Sequence, residues 1–276
     1  MVKILSAITT PFRADGELDL DAFEAHVRWL GEAGLDGVFV GGTTGEGVLL
    51  EPAELEALAA RAAAAAGQMR VIAQVGRPST RATTALARRA LAAGAQAVAA
   101  YVPWFYPVTQ VQVRAHFLAL LAAAGEHPAL LYNIPSRTVN DLEPAVVAEL
   151  AAAGFAGMKD STGDFARHEA YLDAAGGHRF ELYTGTEPLL VRSVRRGSAG
   201  SINGLSNCRP ELFVALRSAL AAGEAAEAER LQEEIAVLKA QVKAEESTVA
   251  AVKRRVRERL AERGVDYPDA PRAPFA

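Results

Sequence analysis

The sequence predicts an α/β chain folded as a (β/α)8 TIM barrel with additional C-terminal helices. Three observations predict it. Eight short apolar, strand-like runs each precede a longer amphipathic stretch. Polar and glycine-rich motifs follow several different strands, and in a barrel those strand ends converge on one mouth, whereas an open doubly wound sheet, the alternative, does not gather them all. After the eighth unit come two more apolar stripes at helical spacing with no strand between them.

The elements follow in order. "KILSAI" (3–8) is the first strand and leads to a helix over 20–33, where Leu18, Leu20, Phe23, Val27 and Leu30 recur close to every 3.6 residues. "GVFV" (37–40) leads to 51–66, a run of good helix formers ended by Gly67 as a C-cap. "RVIAQV" (70–75) precedes helix 79–93, and "AVAAYV" (97–102) precedes 109–124. "ALLYN" (129–133) and "FAGMK" (155–159) precede 142–152 and 164–175. "FELYT" (180–184) and "GSING" (200–204) precede 187–196 and 209–222. The barrel thus occupies 1–222, and 223–276 is a helical extension. In that extension Leu231, Ile235, Leu238 and Val242 form one stripe and Val249, Val252, Val256 and Leu260 a second, suited to packing on the barrel wall or on a partner subunit.

Composition narrows the function. Half the residues are apolar, enough for a sizeable core, and a net charge of −4 gives no basic footprint for nucleic acid. The start, "MVKILSAITTPF", runs straight into proline and charge, which is not a signal peptide, and nothing approaches the ~20 apolar residues of a membrane span. The one cysteine, Cys208, permits no disulfide within the chain and reads as a small buried residue in a reducing, cytoplasmic setting. The five histidines are scattered without i, i+3 or i+4 pairs, so no metal site is expected, and no motif calls for a cofactor.

The lysines carry the chemical signal. Only five of the 29 Lys and Arg residues are lysine, and between Lys3 and Lys239 the only one is Lys159. Arginine keeps its proton in a protein, whereas a desolvated lysine loses it and becomes a nucleophilic amine. Lys159 ends the sixth strand in "GFAGMKDSTGD", where apolar surroundings in a barrel mouth favour the neutral amine and a carbonyl substrate would form a Schiff base with it. Tyr132 ends an apolar run in the fifth strand, in "LLYNIPSRT"; its ring fits in packing while its hydroxyl reaches the mouth and can move protons. Arg137, after Pro135, stands where it can fork onto a second carboxylate. The loop "VGGTTGEGVLLEPAEL" lacks the Gly-Lys-Ser/Thr ending of a P-loop; its glycines and threonines suit a small carboxylate.

These residues resemble the dihydrodipicolinate synthase / N-acetylneuraminate lyase family of class I, Schiff-base pyruvate aldolases. The resemblance runs from "AITTPFRADGELD" through "GGTTGEG", "YNIPSRT" and "GMKDSTGD" to "YPDAPRAPF". It implies that Lys159 carries the imine with pyruvate or a 2-oxo acid, that Tyr132 shuttles protons and that Thr43 joins the relay. It implies that Thr44 holds the pyruvate carboxylate, that Arg137 grips the second substrate, and that Gly185, Glu187, Ile202 and Gly204 line the substrate. It also implies small-molecule substrates and a homotetramer.

One loop departs from the synthase branch. That branch has two tyrosines after the loop proline, the second completing a relay with a neighbouring subunit; here Pro103 is followed by Trp104 and Phe105, and Tyr106 comes one place late, as in the sugar-acid aldolase branch. Arg137 points the other way, since the sialic-acid lyases lack it. The favoured substrates are therefore 4-hydroxy-2-oxo acids or 2-keto-3-deoxy sugar acids. The alternatives are 4-hydroxy-tetrahydrodipicolinate synthase, joining pyruvate to aspartate semialdehyde, and a non-catalytic oxo-acid-binding barrel.

Overall fold

Runs such as "GVFV" and "RVIAQ" are apolar on both faces, which suits strands covered by helices outside and by each other's side chains inside. The computed structural model, which describes residues 2–275, uses them that way. Eight parallel strands close in sequence order: β1 (Lys3–Ala7), β2 (Gly37–Val40), β3 (Arg70–Gln74), β4 (Ala97–Tyr101), β5 (Ala129–Asn133), β6 (Gly157–Asp160), β7 (Glu181–Thr184) and β8 (Gly200–Asn203). The barrel closes where Lys3 to Ser6 pair with Gly200 to Asn203.

Around it run α1 (Leu20–Glu32), α2 (Pro52–Ala65), α3 (Thr80–Ala92), α4 (Gln110–Ala124), a short α5 (Pro135–Thr138), α6 (Pro144–Ala153), α7 (Phe165–Ala174), α8 (Leu190–Arg196) and α9 (Pro210–Ala222). Their starts are written in the sequence: Asp19, Ser79, Thr109 and Asp164 each accept a backbone N–H of the first turn of α1, α3, α4 and α7. Alternation splits each strand between two cores. Leu5, Phe39, Ile72, Leu130 and Ile202 fill the barrel interior, while Ile4, Val38, Val71, Leu131 and Met158 face the helices.

Several boundaries move by one or two residues from the sequence reading, and the start of α6 moves from 142 to Pro144; two of the differences have a clear local cause. The sixth strand begins at Gly157 instead of 155, because Gly154 ends α6 at φ +112° and the Phe155 N–H still bonds to the Leu150 carbonyl. The helix expected from 187 opens as a 3₁₀ turn over Glu187–Leu189 before α8 begins. The four-residue α5 has no counterpart in the expected elements.

Beyond α9 the chain forms α10 (Ala225–Lys243) and α11 (Thr248–Ala261). Leu231, Ile235, Leu238 and Val242 of the first stripe are buried, as are Val252, Val256 and Leu260 of the second. The tail then folds back over the barrel: the Tyr267 hydroxyl lies 2.7 Å from Thr9 Oγ1, and Arg272 donates to the Glu54 carboxylate and to the Leu49 carbonyl. Cys208 is buried, and burial pushes its thiol up to about 12. No helix among the described residues is long and apolar enough to cross a membrane.

Candidate active site

Register brings the site together. Tyr101, Tyr132, Lys159 and Tyr183 are successive Cα partners across β4, β5, β6 and β7, so these four side chains form one inward-facing row at the C-terminal ends of the strands. Lys159 Nζ lies 4.4 Å from the centroid of the Tyr132 ring and 4.9 Å from that of Phe39, and among the described residues it has no carboxylate partner. The next residue, Asp160, points to the other face of the strand. There it accepts from the Thr162 N–H at 2.9 Å and lies 2.8 Å from His168 Nδ1, whose Nε2 is 2.6 Å from Ser198 Oγ. That buried chain ties β6 to α7 and to the turn before β8, and it engages the Asp160 carboxylate on the far side of the strand from the lysine. The result is an amine among aromatic faces, 5% exposed, with no carboxylate partner among the described residues.

The glycine-rich turn after β2 supplies the hydroxyls. A Cβ on Gly45 would stand 2.6 Å from the Ile8 carbonyl oxygen, and one on Gly47 would overlap the backbone of Gly41, so only glycine lets the turn curl this tightly. The curl places Thr43 Oγ1 3.3 Å from the Tyr132 hydroxyl and 3.3 Å from the Tyr101 hydroxyl. Thr44 packs on Gly204, where a Cβ would come within 2.8 Å of Thr44 Oγ1. Gly185 leaves room for the lysine: a Cβ there would overlap Ser161 Oγ and lie 3.0 Å from Lys159 Cε. Ile202 sits inside the barrel below this layer.

Arg137, on α5, is exposed at the rim of a cavity of about 1050 Å³ lined also by Thr43, Tyr101, Trp104, Thr248 and Ala270. The cavity opens beside the threonine turn and is roofed by the α10–α11 connection and the C-terminal tail. Among the described residues Arg137 has no ion-pair partner, so its guanidinium is available to a ligand in that cavity. Glu187 is placed apart from the others. Its carboxylate lies 2.8 Å from Lys239 Nζ and its carbonyl accepts from Gln232, so its side chain is spent on α10. Phe105 stands 73% exposed at φ +80°, on a rim loop that Asn140 holds through the Pro103 and Tyr106 carbonyls.

Two features escaped the sequence reading. Tyr101 ends β4 within an apolar run, and only the register with Tyr132 reveals it as a neighbour of Thr43. Lys253 sits on the buried face of α11, 2.8 Å from Glu46 Oε1, and Glu46 Oε2 accepts from the Arg272 N–H. This pair fixes the threonine turn to the C-terminal extension. Its sequence signal is a lysine directly after Val252, inside the apolar stripe.

Comparison with known proteins agrees with this geometry. The model of the Dihydrodipicolinate synthetase family matches residues 1–276. An N-acetylneuraminate lyase of Rhizobium meliloti (strain 1021) is 35% identical over 230 residues, 83% of this chain and 76% of that protein. A 4-hydroxy-tetrahydrodipicolinate synthase of Stenotrophomonas maltophilia (strain K279a) is 37% identical over 212 residues, 76% of this chain and 71% of that protein. Two solved structures superpose over almost the whole chain. KD(P)GA from T. tenax does so with a TM-score of 0.88 at 31% identity, covering 99% of this chain and 92% of its own. YagE, a prophage protein from E. coli K12 solved in complex with pyruvate, does so with a TM-score of 0.92 at 26% identity, covering 100% and 93%. With relatives that are lyases and synthases, and a family match from end to end, this chain belongs to the dihydrodipicolinate synthetase family and is a lyase-type aldolase.

Proposed function

We propose that the chain makes or breaks a carbon–carbon bond through a Schiff base between Lys159 and pyruvate, and that its preferred reaction is cleavage of 4-hydroxy-2-oxo acids or 2-keto-3-deoxy sugar acids. The observation that carries the reading is the unpaired Lys159 amine beneath the Tyr132 ring, with the Tyr132 hydroxyl bonded to Thr43. The bound pyruvate of the YagE structure agrees with it.

In the cleavage direction the Lys159 amine adds to the C2 carbonyl, and the resulting hydroxyl leaves as water with a proton given by Tyr132, so that the protonated imine and the Tyr132 phenolate remain. Tyr132 takes the proton of the C4 hydroxyl, the C3–C4 bond breaks, and its electron pair moves into the imine to leave an aldehyde and the enamine of pyruvate. The enamine takes a proton at C3, and water then returns pyruvate and the free amine. Thr44 and the glycine-rich turn hold the C1 carboxylate, Gly185 and Gly204 keep space for it, and Ile202 floors the pocket. Arg137 meets the far end of the substrate at the rim.

The free rim position of Arg137 also suits a carboxylated aldehyde, which favours condensation of pyruvate with aspartate semialdehyde as the second reading. The test is kcat/KM for the two reactions on one preparation. Cleavage faster than condensation is the expected result; condensation faster by tenfold, about 1.4 kcal/mol of transition-state preference, replaces the first reading with the second. The reading places the enzyme in the cytoplasm as a homotetramer, with exposed Phe105, Tyr106 and Val139 on the rim as apolar surface available to neighbouring subunits. Light scattering at a mass four times 29.1 kDa is the expected result.

A further inference from the structure

The hydroxyl chain does not end at Thr43. Tyr132 is 1% exposed and Lys159 5%, whereas the large cavity reaches Thr43 and Tyr101. A proton that Tyr132 gains or loses must therefore pass a second group before it meets water. Thr43 Oγ1 is equidistant, at 3.3 Å, from the two phenols. A threonine hydroxyl carries one proton and does not ionise, so it hands a proton to Tyr132 only as it receives another. Tyr101 is placed to supply that proton. Its ring centroid lies 4.7 Å from that of Tyr132, Trp104 packs edge-on against it at 5.8 Å, and among the described residues its hydroxyl bonds to Thr43 alone. A Cβ on Gly76 would lie 3.2 Å from Tyr101 Cδ2, so the glycine leaves the ring its place.

We propose that Tyr101 is a relay residue of this site: acting through Thr43, it exchanges the proton of Tyr132 with the cavity, and it does so within a single chain. The inference rests on the Schiff-base reading above. Written out, the Tyr101 O–H gives its proton to Thr43 as the Thr43 proton passes to the Tyr132 oxygen, and the Tyr101 oxygen takes a proton from water. One proton enters, and no other bond changes. The hydroxyl that Phe105 lacks is thereby supplied from the end of β4.

The experiment uses pyruvate alone, so it does not depend on the second substrate. Exchange of the pyruvate methyl protons in D2O is followed by NMR, and borohydride trapping is scored by mass on the same samples. Tyr101→Phe, which keeps the ring, is expected to retain one three-carbon adduct per chain and an unchanged half-saturating pyruvate concentration, while exchange slows at least fivefold. Full adduct with less than fivefold slowing overturns the inference and leaves the Schiff-base reading standing. Absence of adduct in the unmodified protein overturns that reading and the inference with it. Should Tyr101→Phe not fold, 3-fluorotyrosine placed at position 101 keeps the shape and acidifies the phenol. The pH profile of exchange is then expected to move to lower pH, and an unmoved profile overturns the proposal.

Discussion

The proposed reaction gives Tyr132 and Lys159 different work although they lie side by side, and single substitutions separate the two roles. Tyr132→Phe keeps the ring over the amine and removes only the hydroxyl bonded to Thr43, so turnover should fall by roughly 10²–10⁴ with the fold intact. Near-normal kinetics would show that the tyrosine only packs. In the proposed reaction Thr44→Val removes carboxylate binding shared by ground and transition states, so KM for pyruvate should rise more than kcat falls; steady-state kinetics that show the reverse would place Thr44 in the chemistry instead. At Gly185 the constraint is space. The methyl of Gly185→Ala meets Lys159 Cε and Ser161 Oγ, so trapping by borohydride should slow although no reacting group is removed. Lys159 was legible because it stands alone among arginines, and Tyr132 because it closes an apolar run. Tyr101 was not, since its place beside Thr43 depends on which residue lies opposite it on β5, and neither was the pairing of Glu187 with Lys239, which lies on a helix that no motif connects to it.

Among the elements, the glycine-rich turn after β2 is held from a distance by α11. The Lys253–Glu46 pair is fully buried; burial pulls the lysine's proton affinity down and the carboxylate beside it partly restores it. Removing one partner strands the other charge, so Lys253→Met should destabilise by about 3–5 kcal/mol, while Lys253→Met combined with Glu46→Gln should recover most of that loss. Chemical denaturation of the three proteins checks this, and a double variant as unstable as the single one would show that the pair is not the source. The single variant should also raise KM, because Thr43 and Thr44 sit on the same turn. The strands and helices themselves were legible from periodicity and caps. Their exact ends depended on local hydrogen bonds such as that from Phe155 to Leu150, and the union of position 46 with 253 depends on a fold-back no local pattern encodes.

For the molecule as a whole, eight strand–helix units could be counted from sequence, and closure follows because every strand finds two parallel neighbours. How the tail seals the structure could not be read in advance, and it shapes the pH response. His26 is buried between Thr9, Trp29 and Tyr267, and burial lowers its pKa to about 3; His116, also buried, is lowered to about 4. Well above pH 6.5 neither folded nor unfolded imidazole is charged, so these two histidines add no slope to the stability curve. Below it the unfolded chain takes protons the native one refuses, and stability falls by about 2 kcal/mol per histidine at pH 5. His26→Gln should lie below the wild type at pH 7 and approach it by about that amount at pH 5; parallel stability curves would contradict the assignment. In the proposed reaction this architecture serves one amine, that of Lys159. The most direct measurement of that claim is the intact mass after borohydride reduction with pyruvate. One three-carbon adduct per chain, absent in Lys159→Ala and equally absent in Lys159→Arg, is the predicted result, and a full adduct on either variant would contradict it.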